Sequence, residues 1–342
     1  MRAILIKCDT PSLSAAMSSC AVNRATAFCS RPSPFGQRGV ALITALFIAS
    51  LAVIAGIAMF SATNMALHRT SNLNDSEAEY WYADGVESWL VMMLEEDARS
   101  HDVDSLADPW ARPVQFLPIE RGSLNGKIED LQGRFNLNNL GALNPQPYIN
   151  QFERLVAGLQ LSGQSSAVDI AYAVRDWIDS DSIPATQGGA EDDYYIGLTP
   201  AYRTAARLMV TPSELLSVKG VTPALYSAIE PYIAALPTTS SKINLNTAPL
   251  LVLESLFDSG TKMDAAFIET RLQSPVRSVQ EAVNAGIFPK DTDLSQLADV
   301  SSQYFLLRTT VSIGKGQTEM FSVIYRPRGA AARVILRTFG AQ

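Results

Sequence analysis

Residues 40–60 read VALITALFIASLAVIAGIAMF, an apolar run with no charge, in which Thr44 and Ser50 are the only hydroxyls. As a helix the run spans about 31 Å, close to the hydrocarbon thickness of a bilayer. The apolar region of an ordinary signal peptide is shorter, roughly 7–15 residues. A buried core helix is the alternative, but an apolar circumference suits lipid better than a core of this size. The polar stretch at 63–75 then predicts an exit from lipid. Beyond it, Leu73, Tyr80, Val86, Trp89, Leu90, Met93 and Leu94 recur mostly at three- and four-residue steps, with Glu77, Asp84, Glu87, Glu95 and Glu96 between them. That period predicts the same helix continuing in amphipathic form. Gly85 weakens the case for an unbroken rod, and Asp108-Pro109 and Arg112-Pro113 lie past its end.

Short strands are predicted at 126–131 and 133–137. Three more follow near the C-terminus, at 304–313, 319–326 and 333–339, with Gly314-Lys315-Gly316 and a Pro/Gly segment as their turns. A long helix packed on an antiparallel sheet is an α+β layer architecture. Between the two strand groups the chain reads as helical, at 152–161, 167–178, 199–209, 212–218, 223–236, 249–257, 263–272 and 279–285. Thr211-Pro212 and Thr222-Pro223 each place a capping hydroxyl before a first-turn proline. The expected organisation is a transmembrane helix at 40–62, a helix-and-strand part at 63–144, an inserted α-helical domain at 145–300 and the closing strands at 301–342.

Charge gives this plan an orientation. The chain of 342 residues carries a net charge of −7. Arg2, Lys7, Arg24, Arg31 and Arg38 precede Val40 against Asp9 alone, leaving 22 of the 27 basic and 33 of the 34 acidic residues after it, a charge of −11. The basic side is expected to stay in the cytoplasm and the acidic bulk to be exported. Cys8, Cys20 and Cys29 all lie before the apolar run, so the exported part relies on its core, or partly on a metal, rather than on disulfides. His68 and His101 are the only histidines, and no thiol nucleophile, phosphate-cradling glycine loop or zinc spacing accompanies them. No catalytic set is visible, and an enzyme is not expected.

Three constellations carry candidate chemistry. The segments FNLN at 135–138 and INLN at 243–246 echo one another, and each leads towards a helix. Asn136, Asn138, Asn244 and Asn246 have short acceptors suited to capping helix N–H groups, the alternative being a ligand role. The second constellation is acidic: DWIDSD at 176–181, then GGAEDD at 188–193. Carboxylates at a helix C-terminus oppose its dipole unless a cation compensates. Hard oxygens on a flexible loop suit Ca²⁺, although the spacing is not that of an EF-hand. Asp179, Asp181, Glu191, Asp192 and Asp193 are the candidate ligands, against the reading of a solvated acidic loop. The third is residues 215–229, LLSVKGVTPALYSAI, which resembles a helix-hairpin-helix element. Lys219 is the only base in its loop, and the chain has no arginine-rich tail, so nucleic acid is not an expected partner. A membrane-anchored DNA-uptake factor is the alternative reading.

The junction Gln37-Arg38-Gly39, followed by Val40-Ala41-Leu42-Ile43-Thr44, resembles the type IV prepilin signal. That resemblance implies a leader at 1–39, cut after Gly39 by prepilin peptidase, with methylation of the new N-terminal Val40. Val40 stands where phenylalanine is usual, the leader is long, and Met17 offers an alternative start. Thr44, the fifth mature residue, stands where nearly all pilins carry a glutamate that neutralises a neighbour's N-terminal amine in the membrane. Its hydroxyl can instead bond its own helix backbone. A subunit without that carboxylate fits the tip of a filament. With GRFNLNN at 133–139, DWIDSD, GAED at 189–192 and INLNTAP at 243–249, the chain resembles the K-type minor pseudopilins of type II secretion from Gly39 to Phe339. The family implies a pilin fold, with the transmembrane helix continuing into a long helix on an antiparallel sheet and a bulky helical insertion. It also implies bound calcium, anchorage in the inner membrane with the C-terminal domain in the periplasm, and a complex with I-type and J-type minor pseudopilins at the pseudopilus tip.

The junction generates the first test. Mass spectrometry of the mature protein is expected to show an N-methylated Val40 as its first residue; an intact leader, or cleavage near Ala62, contradicts it.

Overall fold

The computed structural model describes residues 38–161, 165–257, 263, 265–289 and 294–340. The leader up to residue 37, with its cysteines and Met17, lies outside the described residues. The chain divides into two compact units, residues 1–66 and 67–342.

The described part of the first unit is helix. Helix α1 runs unbroken over Arg38–Ser100, and the lipid-length run lies within it. Among the described residues it is the one helix long and apolar enough to cross a membrane, and none of its apolar window is buried. Gly85 does not break it. The penalty for one helical glycine, about 1 kcal/mol, is small beside the burial of neighbouring apolar side chains.

The second unit contains the rest of α1 and, in chain order, β1 (Val114–Ile119), β2 (Gly122–Asp130), β3 (Phe135–Asn136), α2 (Gln146–Gly158), α3 (Ala167–Ile178), α4 (Asp192–Ile196), α5 (Pro223–Ile229), β4 (Ile233–Ala234), β5 (Ile243–Asn244), α6 (Leu250–Glu254), α7 (Ala265–Thr270), α8 (Val279–Asn284), β6 (Ala298–Asp299), β7 (Tyr304–Ile313), β8 (Gly316–Tyr325) and β9 (Arg333–Phe339). Five strands form an antiparallel sheet in the order β1-β2-β7-β8-β9. Leu90 and Leu94 of α1 pack with Trp110, Ile128, Phe305, Leu307 and Ile324 on one face. Leu131, Tyr304, Leu306 and Phe321 lie on the other face, against Ala234 and Leu236. This is the expected α+β fold, a helix on an antiparallel sheet with a mostly helical stretch between β2 and β7.

Several elements differ from the sequence reading. Strand β1 was not expected; Pro118 and a bulge between Val114 and Leu117 interrupt its alternation. The expected helix at 199–209 is extended chain, because its backbone groups find tertiary partners: Ala206 N–H donates to Trp177 O, and Asn138 both accepts from Met209 N–H and donates to Met209 O. The expected helix at 223–236 stops at Ile229, and Pro231 follows in a 3₁₀ turn. The chain then continues into β4, which pairs with β3 in parallel. The segment at 212–218 forms a 3₁₀ helix, Pro212–Ser217.

The insertion meets the sheet through a buried polar network. Asp130 ends β2, and its Oδ2 accepts from Asn244 Nδ2 at 3.0 Å, Thr247 Oγ1 at 2.6 Å and Ser302 Oγ at 2.6 Å. Its Oδ1 accepts from Gln132 N–H at 2.8 Å. Burial pushes the Asp130 carboxyl up to about 6, against the pull of these donors. An acid raised in this way binds more protons folded than unfolded between its ordinary value and about 6. Its contribution to stability is therefore greatest below the ordinary value and falls, by on the order of 3 kcal/mol, as pH rises through about 6. In urea unfolding, the stability of the wild type minus that of Asp130→Asn is expected to fall between about pH 4 and 6. A difference that does not change with pH refutes the assignment.

Candidate metal centre and assembly surfaces

Helix α3 delivers its carboxylates to one place because its apolar face is fixed in the core. Ile170, Ala171, Val174, Trp177 and Ile178 are buried, which leaves Asp179 at the C-cap and Asp181 just beyond. The chain then returns under the control of Asp176. Its Oδ2 accepts from Ala185 N–H at 3.0 Å and Ala190 N–H at 2.8 Å, pinning both ends of the loop. Gly189 sits against this clamp, and a Cβ there would lie 2.3 Å from Asp176 Oδ2. The Nζ of Lys219 completes the fixation by donating to Gly188 O at 3.3 Å and Gly189 O at 3.1 Å.

The result is that Asp179, Asp181 and Glu191 offer carboxylate oxygens that all lie within 4.8 Å of one another. Ligands on opposite sides of a Ca²⁺ ion at 2.3–2.6 Å stand roughly 5 Å apart, so the spacing fits one such ion. Asp179 Oδ1 and Glu191 Oε1 are buried and have no hydrogen-bond partner. Orphaned acceptors of this kind are costly unless protonated or bound to a cation. Burial, and then the charges of Asp176, Asp179, Asp181 and Asp192, push the Glu191 carboxyl up to about 7. Burial and the charge of Asp181 also raise Asp179. The donor set is hard oxygen throughout, as Ca²⁺ prefers.

Two of the five candidate ligands lie elsewhere. Asp192 turns away, and its Oδ1 accepts from Thr204 N–H at 3.0 Å and Thr204 Oγ1 at 3.1 Å. Asp193 is exposed and is not part of the cluster. They start α4 immediately after Glu191, so successive side chains fan around the helix axis by about 100° each. Sequence reading also gave no role to Asp176 as a loop clamp, or to Lys219 as the anchor of the acidic loop.

Of the four asparagines expected to cap helices, Asn136 does so, at a 3₁₀ turn, while Asn244 makes the same bond in a turn that starts no helix and α6 begins after Pro249 without a side-chain cap. Asn136 and Asn244 accept from the N–H two residues on, at 3.2 and 3.0 Å. Asn138 and Asn246 each bind both backbone groups of one distant residue, Met209 and Val276 respectively. In the hairpin at 215–229, Lys219 is directed at the acidic loop and over the Tyr194 ring, which removes its one base from service to a phosphate.

Two features of α1 bear on assembly. The Thr44 hydroxyl lies 3.0 Å from Val40 O and 3.1 Å from Ala41 O, satisfied within its own helix. The junction Gly39–Val40 falls in the first turn of α1. Further on, Trp81, Trp89 and Met92 are exposed, and a Cβ on Gly85 among them would meet nothing within 4 Å. At about 100° per residue these four positions occupy one stripe, opposite the face of Ala83, Leu90 and Leu94 that packs on the sheet.

The profile of the family described as type II secretion system (T2SS), protein K, matches residues 133–238. The type II secretion system protein K of Aeromonas hydrophila is 33% identical over 314 residues, covering 86% of this chain and 95% of that protein. The chain belongs to the type II secretion system protein K family. A second member, from Pectobacterium carotovorum subsp. carotovorum, is 32% identical over 89% of this chain and 97% of its own length. A chain of the crystal structure of the GspK–GspI–GspJ complex from the enterotoxigenic Escherichia coli type 2 secretion system superposes with a TM-score of 0.69 at 26% identity, covering 80% of this chain and all of that one. The family consists of structural pseudopilins of a protein-transport system, and the DNA-uptake reading finds no support. The long apolar helix fits a single-pass membrane anchor.

The carboxylate cluster generates the next test. Without a cation, the raised Glu191 makes stability fall as pH rises from its ordinary value through about 7; a cation needs the ionised form, so its binding releases protons and strengthens over the same window. Ca²⁺ is expected to raise the melting temperature more at about pH 7.5 than at about pH 5.5, EGTA to reverse the gain, and Glu191→Gln to abolish it. An unchanged melting temperature under both treatments at the higher pH removes the metal.

Proposed function

We propose that the chain is a minor pseudopilin at the tip of a type II secretion pseudopilus, assembled with I-type and J-type minor pseudopilins and supporting protein export across the outer membrane. Residues 40–62 anchor it in the inner membrane, and residues 63–342 lie in the periplasm. Residues 63–144 and 301–342 form the pilin-like domain, and residues 145–300 the inserted helical domain. Prepilin peptidase removes residues 1–39 after Gly39 and methylates Val40. Ca²⁺, held by Asp179, Asp181 and Glu191, neutralises the acidic loop and stabilises the insertion. In this arrangement the ion supplies charge compensation, while the Asp176 clamp and the Lys219 anchor keep its ligands in place.

The observation that carries the assembly is the likeness to a chain of the GspK–GspI–GspJ complex, over 80% of this sequence. The exposed stripe of Trp81, Trp89 and Met92 supports a helical partner surface, since it is apolar and lies opposite the sheet. Thr44 supports the tip position: its neutral hydroxyl, which donates to its own helix, carries no charge to neutralise the amine of a subunit ahead. The size of the insertion points the same way, because it would obstruct a neighbour within a shaft, whereas a tip subunit needs only one assembly surface.

Labelling against this protein is expected to mark filament ends. Trp81→Ala combined with Trp89→Ala is expected to weaken co-purification with the I- and J-type pseudopilins by about ten-fold or more, as loss of buried aromatic anchors does. Thr44→Glu is expected to allow labels within the shaft. Regular labelling along the shaft by the unmodified protein refutes the tip position, and undiminished co-purification of the double variant refutes the stripe.

A further inference from the structure

The five-stranded sheet leaves β9 as one edge, with no strand among the described residues on its outer side. The opposite edge, β1, carries Pro118 and a bulge, which blunt an edge against pairing. Strand β9 contains no proline. Its register shift falls at its N-terminal end, between Ile324 and Val323, and Leu336, Arg337, Thr338 and Phe339 then pair regularly with Val323, Ser322, Phe321 and Met320. A regular edge with unpaired N–H and C=O groups is a template for a further strand.

Beside this edge lies an open groove of about 550 Å³ between the sheet and the segments at 208–210 and 235–237. Val210, Tyr304, Val323, Tyr325 and Leu336 line it. Leu306, Phe321 and Thr338 line a second depression that shares Val210, Val323 and Leu336 with the first. Val210 and Ile335 remain exposed beside it. Cations flank the apolar floor. The Arg333 guanidinium lies over the Tyr325 ring, 5.4 Å from its centroid, and that of Arg308 over the Phe321 ring at 4.9 Å. Both are exposed, and neither forms an ion pair among the described residues; Arg134, in the wall of the second depression, is paired with Glu129. Stacking on the rings holds both guanidinium groups close to the floor, within reach of a carboxylate, while the Arg308 charge also acts on Glu129.

We propose that β9 and this groove bind an extended segment of another polypeptide that adds as a strand to the β9 edge. The segment has apolar side chains at alternate positions, directed into the groove, and a carboxylate at each end of that same face, where it meets Arg333 or Arg308. The period of two follows from strand geometry, and the acidic character from the two unpaired guanidinium groups. The inference concerns a surface apart from the acidic loop and from the α1 stripe, and it stands whether or not the chain occupies a filament tip.

The test uses the full chain in detergent micelles and three fluorescein-labelled nonapeptides. One alternates threonine with a face of aspartate, three valines and glutamate, the two acids at the peptide's ends; the second has lysine in place of each acid; the third is the acidic peptide with a central proline. The acidic peptide is expected to bind saturably by fluorescence anisotropy, the lysine peptide at least about ten-fold more weakly, and the proline peptide not measurably at about 1 mM. Hydrogen exchange is expected to slow at residues 336–339 when the acidic peptide is bound. Arg308→Glu with Arg333→Glu, two exposed positions, is expected to reverse the preference between the acidic and lysine peptides. Equal binding of all three peptides, an unchanged preference in the double variant, slowed exchange elsewhere alone, or no binding of the acidic peptide at about 1 mM overturns the proposal.

Discussion

The Asp130 carboxylate is the point on which the two parts of the large unit depend. Strands β2 and β7 are antiparallel neighbours, and Asp130 lies opposite Phe305 in their register. The insertion therefore leaves the sheet and rejoins it about one strand spacing apart, roughly 4.8 Å. A chain segment with its own core can be spliced at such a point with little disturbance of the sheet, because its ends already meet. What remains is to fix its orientation. Asp130 does this by accepting from Ser302, just before β7, and from Asn244 and Thr247 in the insertion. Asp104 and Arg326 extend the network: Ser302 N–H donates to Asp104 Oδ2 at 2.7 Å, and Arg326 donates to Ser302 O at 2.9 Å and Leu94 O at 3.0 Å. The same chain of bonds thus reaches from the insertion to α1. A carboxylate so buried is unfavourable in isolation, and its four donors make the junction specific rather than strongly stabilising.

The insertion is built twice on one plan. Phe135–Asn136 and Ile243–Asn244 each form a two-residue parallel pairing, with Ile233–Ala234 and Ala298–Asp299. In each, the first asparagine turns the chain and the second grips the N–H and C=O of one residue far along it, Met209 or Val276. Short helices such as α6, α7 and α8 could not persist alone, since helices under about 12 residues are marginal in water. They are held because buried side-chain amides, bonded to distant backbone, replace the longer ladders that extended sheets or helices would provide. The repetition of apolar-Asn-Leu-Asn was visible in the sequence, and so was its turn-forming chemistry. The distant clamp was not: amide chemistry reveals the capacity for two bonds but not which backbone segment will receive them.

The same division runs through the rest of the chain. Helix α3 and strands β7 and β9 were legible to the residue, because none contains a proline or glycine and turn residues bound the strands, although the alternation of β7 is only partial. The segment at 199–209 misled because Tyr202, Ala205, Ala206, Leu208 and Met209 have helix-like spacing. Its backbone is instead satisfied by Trp177, Asn138 and Asp192, which are remote in sequence. In the acidic loop, Asp179, Asp181 and Glu191 were readable as oxygen donors near a helix end, and the structure brings them together. Asp192 and Asp193 looked equivalent to Glu191 by composition, yet a helix starts among these residues and separates their directions.

Helix α1 answers to two solvents, and its polar residues show where its register is set. In the apolar run, Thr44 and Ser50 bond to carbonyls of their own helix, at 3.0 Å to Val40 O and 2.8 Å to Phe47 O. Over the sheet the constraint is strict. Glu79 is buried and accepts from Thr318 Oγ1 at 2.6 Å, while Glu87 is buried against Ser322 and Arg337. Rotating the helix by one residue, about 100°, would carry both carboxylates off their donors. Sliding it by one residue along its axis, about 1.5 Å, would weaken the same bonds. Gly316 tightens this fit, since a Cβ there would lie 2.5 Å from Glu79 Oε1. Apolar packing of Leu90 and Leu94 supplies the attraction, but it tolerates small shifts; the two buried glutamates do not. The rotation of α1 on its sheet, and with it the direction in which Trp81, Trp89 and Met92 face outward, is therefore decided by Glu79 and Glu87.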